Sequence, residues 1–471
     1  MERKNAWKTY SKEDITKLNV LCDDYINFIS DCKTERECAA EVVERAEKAG
    51  YVNIEDYIKR EDKPNPGDKV YAVNMKKSVA MFIIGKKPIS EGMNILGAHI
   101  DSPRLDIKQN PLYESDDIAY LDTHYYGGIK KYQYVTIPLA IHGVVVKMDG
   151  TVINVNIGED PKDPVFCVSD LLIHLAQDQM TKTAAKVVEG ENLDIIIGSK
   201  PIDADENATD DEKKKKEKDA VKANVLKIIK EKYDFEEEDF MSAELEVVPA
   251  GRARDMGLDR SLVLSYGQDD RVCAYTSLAA MLDTDYIPEK TACCLLVDKE
   301  EIGSVGATGM ESHFFENVVA ELINCEGDYS DLKLRRALKN SRMLSSDVNA
   351  AYDPLYAEAF DKANASYLGR GVVFSKFTGS RGKSGSNDAN AEYLGVLRDI
   401  MERNNVYYQM AELGKVDIGG GGTIAYILSL YGMEVIDCGV AVLSMHSPWE
   451  VTSKADIYEA KKCYDAFIKE A

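Results

Sequence analysis

The sequence predicts an α/β fold, with a largely parallel central sheet flanked by helices and a β-rich second domain inserted into it. Three observations lead there. Short apolar, strand-like runs alternate with amphipathic helical segments in the first and last parts of the chain. Between Pro111 and Met256 that alternation gives way to β-branched and aromatic residues in period two, as in TVINVNIG, followed by a long hydrophilic block. Finally, 471 residues with 45% hydrophobic and 30% charged content suit two or three domains with a sizeable buried core, and exclude global disorder.

Taken in order, residues 11–60 read as helices. The apolar positions of SKEDITKLNVLCDDYINFISDC recur every three to four residues, Ser11 with Glu13 and Asp14 makes a helix start, and a second such segment follows Thr34. From Lys69 the pattern shifts to β runs, VYAVNM, SVAMFIIG and NILGAHID. The block at 203–240 reads as a flexible, charged segment of the inserted domain, its Lys213–Lys216 run flanked by acids and solvated. Beyond 256, apolar strands (ACCLLVD, RMLSSD, EVIDCGV) again alternate with helices (RVCAYTSLAAML, TIAYILSLYG). The expected division is a catalytic domain in two parts, 1–110 and 257–471, around an insert at 111–256. No internal repeat is visible.

Charge narrows the partners. With 58 Lys+Arg against 81 Asp+Glu the net charge is −23, which repels phosphate backbones and anionic lipid, so neither nucleic acid nor membrane is expected as a partner. The chain has no apolar run of membrane-spanning length and its first residues, MERKNAWKTYSKED, lack the apolar segment of a secretory signal, so a cytoplasmic location is expected. Ten cysteines at irregular spacing, without a C-x-x-C pair, read as small core residues of a reducing compartment.

The chemistry-bearing residues cluster at strand ends. His99 and Asp101 lie two apart at the end of NILGAHID, where a strand points both the same way; such a pair is either a ligand with its support or a hydrogen-bonded pair in a polar core. Asp269-Asp270 opens a helix and alone reads as a cap. Glu300-Glu301 follows a buried run directly and would repel each other at a sheet end unless a cation lay between them and their neighbours. Asp347 and His446 each follow a strand in the same way. Ligands collect outside the carboxyl ends of strands in open α/β sheets, and two His with three carboxylates, one bridging, is the set expected for two zinc-like ions about 3.5–4 Å apart. The run at 417–423 lacks the Lys-Ser/Thr of a phosphate loop and reads as a backbone turn that approaches substrate.

Several segments together resemble the M18 metallo-aminopeptidases, the family of aspartyl aminopeptidase and aminopeptidase I, and within it the bacterial aminopeptidase 1 branch. They are GAHIDSPRLDIK (97–108), GQDDR (267–271), VDKEEIGSVGATG (297–309), SSDVNAA (345–351), DIGGGGTIA (417–425) and VLSMHSPWEVTSKAD (442–456), in family order. The resemblance implies a zinc-peptidase-type mixed sheet and removal of N-terminal residues from peptides with a free N-terminus. It implies two Zn²⁺, with Co²⁺ or Mn²⁺ as substitutes, bound by His99, Asp269, Glu301, Asp347 and His446, Asp269 bridging. Glu300 would be the general base and Asp101 would hold the His99 imidazole; Asp270 is a weaker ligand candidate. Lys376, in GRGVVFSKF, resembles a lysine near the substrate pocket and implies preference for acidic N-terminal residues. His174, in LLIHLAQ (171–177), resembles a histidine that reaches a neighbouring subunit's active site, and is otherwise an ordinary histidine on an amphipathic helix. A homo-oligomer is implied, commonly a tetrahedral dodecamer. One departure stands out: the family's histidines shortly after the Asp347 position are Ala350 and Asp353 here. Two other functions share the same residues, a metal-dependent deacylase or carboxypeptidase and a non-catalytic shell or cargo protein of the same fold.

Overall fold

The structure, a computed structural model, describes residues 4–202, 219–327 and 329–471. Two compact units make up the chain: Met1–Ser102 with Ala253–Met445 and Trp449–Ala471, and Pro103–Arg252 with His446–Pro448.

The first unit is built on a nine-stranded sheet. Its order is β1 (Val52–Asn53), β2 (Lys69–Asn74), β3 (Ser78–Ile83), β13 (Thr291–Val297), β4 (Met93–His99), β14 (Arg342–Ser345), β18 (Glu434–Gly439), β16 (Val372–Ser375) and β17 (Tyr408–Met410). Five of its eight pairings are parallel and three antiparallel, so the sheet is mixed, though parallel throughout the run β13-β4-β14-β18. Every residue of β13 and β4 is buried, as strands covered on both faces must be. Successive side chains enter opposite cores: Leu96 and Ala98 join one with Cys294 and Leu296, while Ile95 joins the other with Cys293, Leu295 and Val297.

The first core takes the apolar faces of helices Lys12–Asp31, Gln268–Asp283 and Lys454–Glu470; the second takes Phe314–Cys325, Asp331–Lys339 and the short Ala425–Ser429. The helix starts are set by side chains. Ser11 Oγ accepts the Asp14 N–H at 3.1 Å while Asp14 returns a bond to the Ser11 N–H, and Thr34 and Glu37 form the same reciprocal cap. A five-stranded sheet, β11 (Arg254–Met256), β12 (Leu262–Ser265), β20 (Glu450–Ser453), β19 (Ala441–Leu443) and β15 (Asn349–Ala350), completes this unit. Its β12–β20 pairing sets Ser265 opposite Glu450.

The second unit is β-rich. Six strands, β8 (Val152–Ile157), β7 (Leu139–Val146), β10 (Ala243–Pro249), β5 (Arg104–Ser115), β6 (Ile118–Tyr126) and β9 (Ile195–Gly198), form one sheet, with helix Ala220–Tyr233 against it through Val221 and Val225. The hydrophilic block at 203–240 therefore ends in an ordered helix, while its 203–218 part, with the lysine run, lies outside the described residues. All ten cysteines are free thiols, eight of them buried and Cys167 and Cys325 half-buried. Among the described residues no helix is long and apolar enough to cross a membrane.

Candidate metal centre

The parallel strands β4, β13 and β14 all end at the same edge of the large sheet, because parallel pairing aligns Val297 with His99 and Ser345 with Gly97. His99 therefore closes β4, Glu300 and Glu301 form the turn just after β13, and Asp347 stands two residues past β14. Asp269 reaches the same place from the start of helix Gln268–Asp283. That start is irregular: Gly267 sits at φ +70, Asp269 and Asp270 have non-helical backbone angles, and the bond between them is cis. A side chain at Gly267 would place Cβ 2.1 Å from Arg271 Nη1 and 3.0 Å from Ser102 Oγ, so neither the angle nor the space admits one.

His99 Nε2 lies 3.2 Å from Asp269 Oδ1 and 3.9 Å from Glu300 Oε2. Ligand-type atoms of His99, Asp269 and Asp347 all fall within 4.8 Å of one another, as do those of His99, Glu300 and Glu301. On its other side the imidazole is held by Asp101: Nδ1 is 3.2 Å from Asp101 Oδ1 and 3.1 Å from the Asp101 carbonyl. The same carboxylate accepts the backbone N–H of Glu300 and of Glu301, each at 3.2 Å. Asp270 occurs in neither group; its Oδ2 instead accepts the His99 backbone N–H at 3.4 Å.

So many carboxylates in one buried place disturb their own titration. Burial, then the charges of Asp270, Glu300 and Asp269, push the Asp347 carboxyl well above its ordinary value, with His99 opposing. For His99, burial disfavours the charged ring, yet the hydrogen bonds to Asp101 and Asp269 and the nearby Glu300 outweigh it and raise the imidazole. The donors are imidazole nitrogen and carboxylate oxygen alone, a set that suits a zinc-class divalent cation, and such a cation would relieve the repulsion.

His446 follows β19 at φ +63 and belongs to the second unit, where its Nδ1 is 2.9 Å from the Gly128 carbonyl. With Nδ1 donating there, the ring nitrogen carrying the lone pair is Nε2. Lys376 is exposed, one residue beyond β16. His174 is exposed in a turn of the second unit, not on a helix, beside the exposed Leu171, Leu172, Ile173 and Leu175. Where the family carries histidines, Ala350 ends β15 and Asp353 caps the turn at Pro354–Ala359 by accepting the Leu355 N–H at 2.9 Å. In the glycine run, Gly419 and Gly420 are fixed by close backbone: a Cβ would lie 1.9 Å from the Leu413 carbonyl and 2.3 Å from the Gly379 carbonyl, respectively.

Two residues escaped the sequence reading. Glu450 accepts the Asp269 N–H at 3.0 Å, and Ser102 donates to the Asp269 carbonyl at 2.7 Å. The only sequence signal was their presence in the GAHIDSPRLDIK and VLSMHSPWEVTSKAD segments.

Comparisons with known proteins agree on one family. A sequence profile for "Aminopeptidase I zinc metalloprotease (M18)" matches residues 28–468. A probable M18 family aminopeptidase 1 from Clostridium acetobutylicum is 61% identical over 467 residues, 99% of this chain and 98% of that protein. One from Borreliella afzelii is 46% identical over 475 residues, all of both chains. The crystal structure of an M18 family aminopeptidase from Thermotoga maritima superposes with a TM-score of 0.92 at 44% identity, covering 100% of each chain. The chain belongs to the M18 family of zinc metallo-aminopeptidases.

Proposed function

We propose that the protein removes N-terminal residues from peptides with a free α-amine, and that His99, Asp269, Glu301, Asp347 and His446 would hold two zinc ions for that reaction. The observation that carries the reading is the convergence of His99, Asp269, Glu300, Glu301 and Asp347 at the carboxyl edge of the parallel strands. Bound there, the ions would supply Lewis acidity toward the scissile carbonyl and a neighbouring water.

The rest falls to the chain's own residues. Asp101, by holding Nδ1, orients His99 so that Nε2 faces the acidic cluster. Glu300 takes a proton from the attacking water at its carboxylate and delivers it to the leaving amine nitrogen as the C–N bond breaks, so the products are a free amino acid and a peptide one residue shorter. Lys376 pairs with an acidic side chain at the substrate N-terminus. The catalytic domain, expected at 1–110 and 257–471, would correspond to the unit Met1–Ser102, Ala253–Met445 and Trp449–Ala471, and the insert expected at 111–256 to the unit around Pro103–Arg252, which would serve dimerisation.

A cytoplasmic homo-oligomer, up to a dodecamer, completes the proposal. It is supported by the exposed apolar side chains of Leu171, Leu172, Ile173 and Leu175, which favour burial against another subunit. The S. cerevisiae mApe1, 20% identical, has been solved as a dodecamer.

The decisive experiment joins metal analysis with paired substrates, free and N-acetylated peptides sharing a first residue. Two ions per chain and cleavage of the free peptide alone are expected, with activity abolished by a chelator and restored by Zn²⁺, Co²⁺ or Mn²⁺. Full activity in metal-free protein, or equal cleavage of the acetylated peptide, overturns the proposal.

A further inference from the structure

Asp269 is held from both ends of its own backbone. Its N–H donates to Glu450 Oε2 at 3.0 Å and its carbonyl accepts from Ser102 Oγ at 2.7 Å. Glu450 and Ser102 are both buried, at 1% and 0% exposure, so neither bond is weakened by competing water. Glu450 is itself tied down: the Gln268 side-chain amide donates to its carbonyl at 2.6 Å and to the Val263 carbonyl at 3.2 Å, and Tyr25 Oη donates to Gln268 Oε1 at 3.2 Å.

Such a network has a reason to exist here. The backbone at Asp269 is not helical, so regular helix geometry does not fix the direction of its side chain. A carboxylate that would serve as a metal ligand depends on the groups that fix its direction.

We propose that Glu450 and Ser102 are positioning residues for the metal centre, which clamp the Asp269 backbone so that its carboxylate is presented in one orientation; the inference rests on Asp269 being a metal ligand. Glu450 lies four residues after His446, so one short stretch of chain supplies a ligand and steadies another.

The test is Zn²⁺ affinity by competition with a chromophoric chelator, alongside thermal unfolding of the metal-free protein, for Ser102→Ala, Ser102→Thr, Glu450→Ala, Glu450→Gln and Asp269→Ala. Ser102→Ala and Glu450→Ala are expected to weaken Zn²⁺ binding by about tenfold or more. Ser102→Thr and Glu450→Gln, which keep the donor and the acceptor, are expected to retain most of the affinity. Should Glu450→Ala fail to fold, the serine pair decides alone, since removing one hydroxyl changes little volume. Wild-type affinity in Ser102→Ala overturns the clamp, as does an equal loss in Ser102→Thr. If Asp269→Ala binds zinc as tightly as wild type, the ligand assignment fails instead; if only Asp269→Ala loses zinc, the clamp alone fails.

Discussion

Asp101 Oδ1 stands 3.2 Å from His99 Nδ1 and accepts the Glu300 N–H at the same distance, so one carboxylate joins the end of β4 to the turn after β13, 199 residues further along the chain. Asp101→Ala is expected to leave the fold intact and to weaken metal binding by about 10–100-fold, because both the imidazole and the turn lose their anchor. Chelator competition measures this. Unchanged affinity would show that the imidazole is oriented without Asp101.

Glu300→Gln is expected to retain its metal and lose about 10²–10⁴-fold or more in turnover, since the amide cannot take the proton from water. Metal content and kcat are read on the same sample. Loss of metal in this variant would mean that Glu300 and Glu301 have exchanged roles.

Lys376→Ala is expected to reduce cleavage of aspartyl and glutamyl substrates more than that of leucyl ones, because only the former lose an ion pair. Wild-type protein that cleaves leucyl substrates faster than acidic ones removes the basis for this role.

Mixing tests His174. A His174→Ala subunit keeps its own Glu300, and a Glu300→Gln subunit keeps its own His174. If His174 acts on a neighbouring subunit, reassembled mixtures of the two inactive variants recover activity at one site per mixed pair. Recovery of nothing favours action within one subunit, and full activity of His174→Ala alone makes the residue structural.

Asp437, in β18, is buried at 4% exposure. Burial pushes its carboxyl from 3.8 up to about 7, eased by the Thr423 side chain and reinforced by Glu300. The folded state thus holds this proton more tightly than the unfolded chain does. Its contribution to stability is complete below pH ~4 and is lost as pH rises through ~7. Asp437→Asn should flatten that slope, so that in metal-free protein the variant gains on wild type between pH 5 and pH 8 by on the order of a few kcal/mol. Parallel denaturant curves at the two pH values would reveal the absence of such a gain.

The sequence carries its local information openly. Ser11 with Asp14 and Thr34 with Glu37 are helix starts that can be read within four residues. The ends of β4, β13 and β14 are equally legible, since an apolar run stops at a polar residue, and parallel pairing then brings His99, Glu300 and Asp347 to one edge. What the sequence does not carry is contact between distant segments. The antiparallel β3 and β16 break the parallel order of the sheet, and nothing in their composition says so. Glu450 meets Asp269 across 181 residues, through the register of a second sheet. The LLIHLAQ segment has helical spacing, yet it forms turns, with Leu171, Leu172, Ile173 and Leu175 exposed and only the small Ala176 buried; local periodicity is a weak constraint when the large apolar side chains are not packed.

The distribution of thiols has a practical consequence. Eight cysteines are sealed in the interior, while Cys167 and Cys325 are half-buried. A thiol-specific reagent should label those two ahead of the other eight in the native protein, and the remainder only as the chain opens. Mass spectrometry of the label therefore gives this protein an intrinsic clock of opening, resolved by residue: Cys293 and Cys294 report on the central strand β13, and Cys438 and Cys463 on the packing of the Lys454–Glu470 helix against β18.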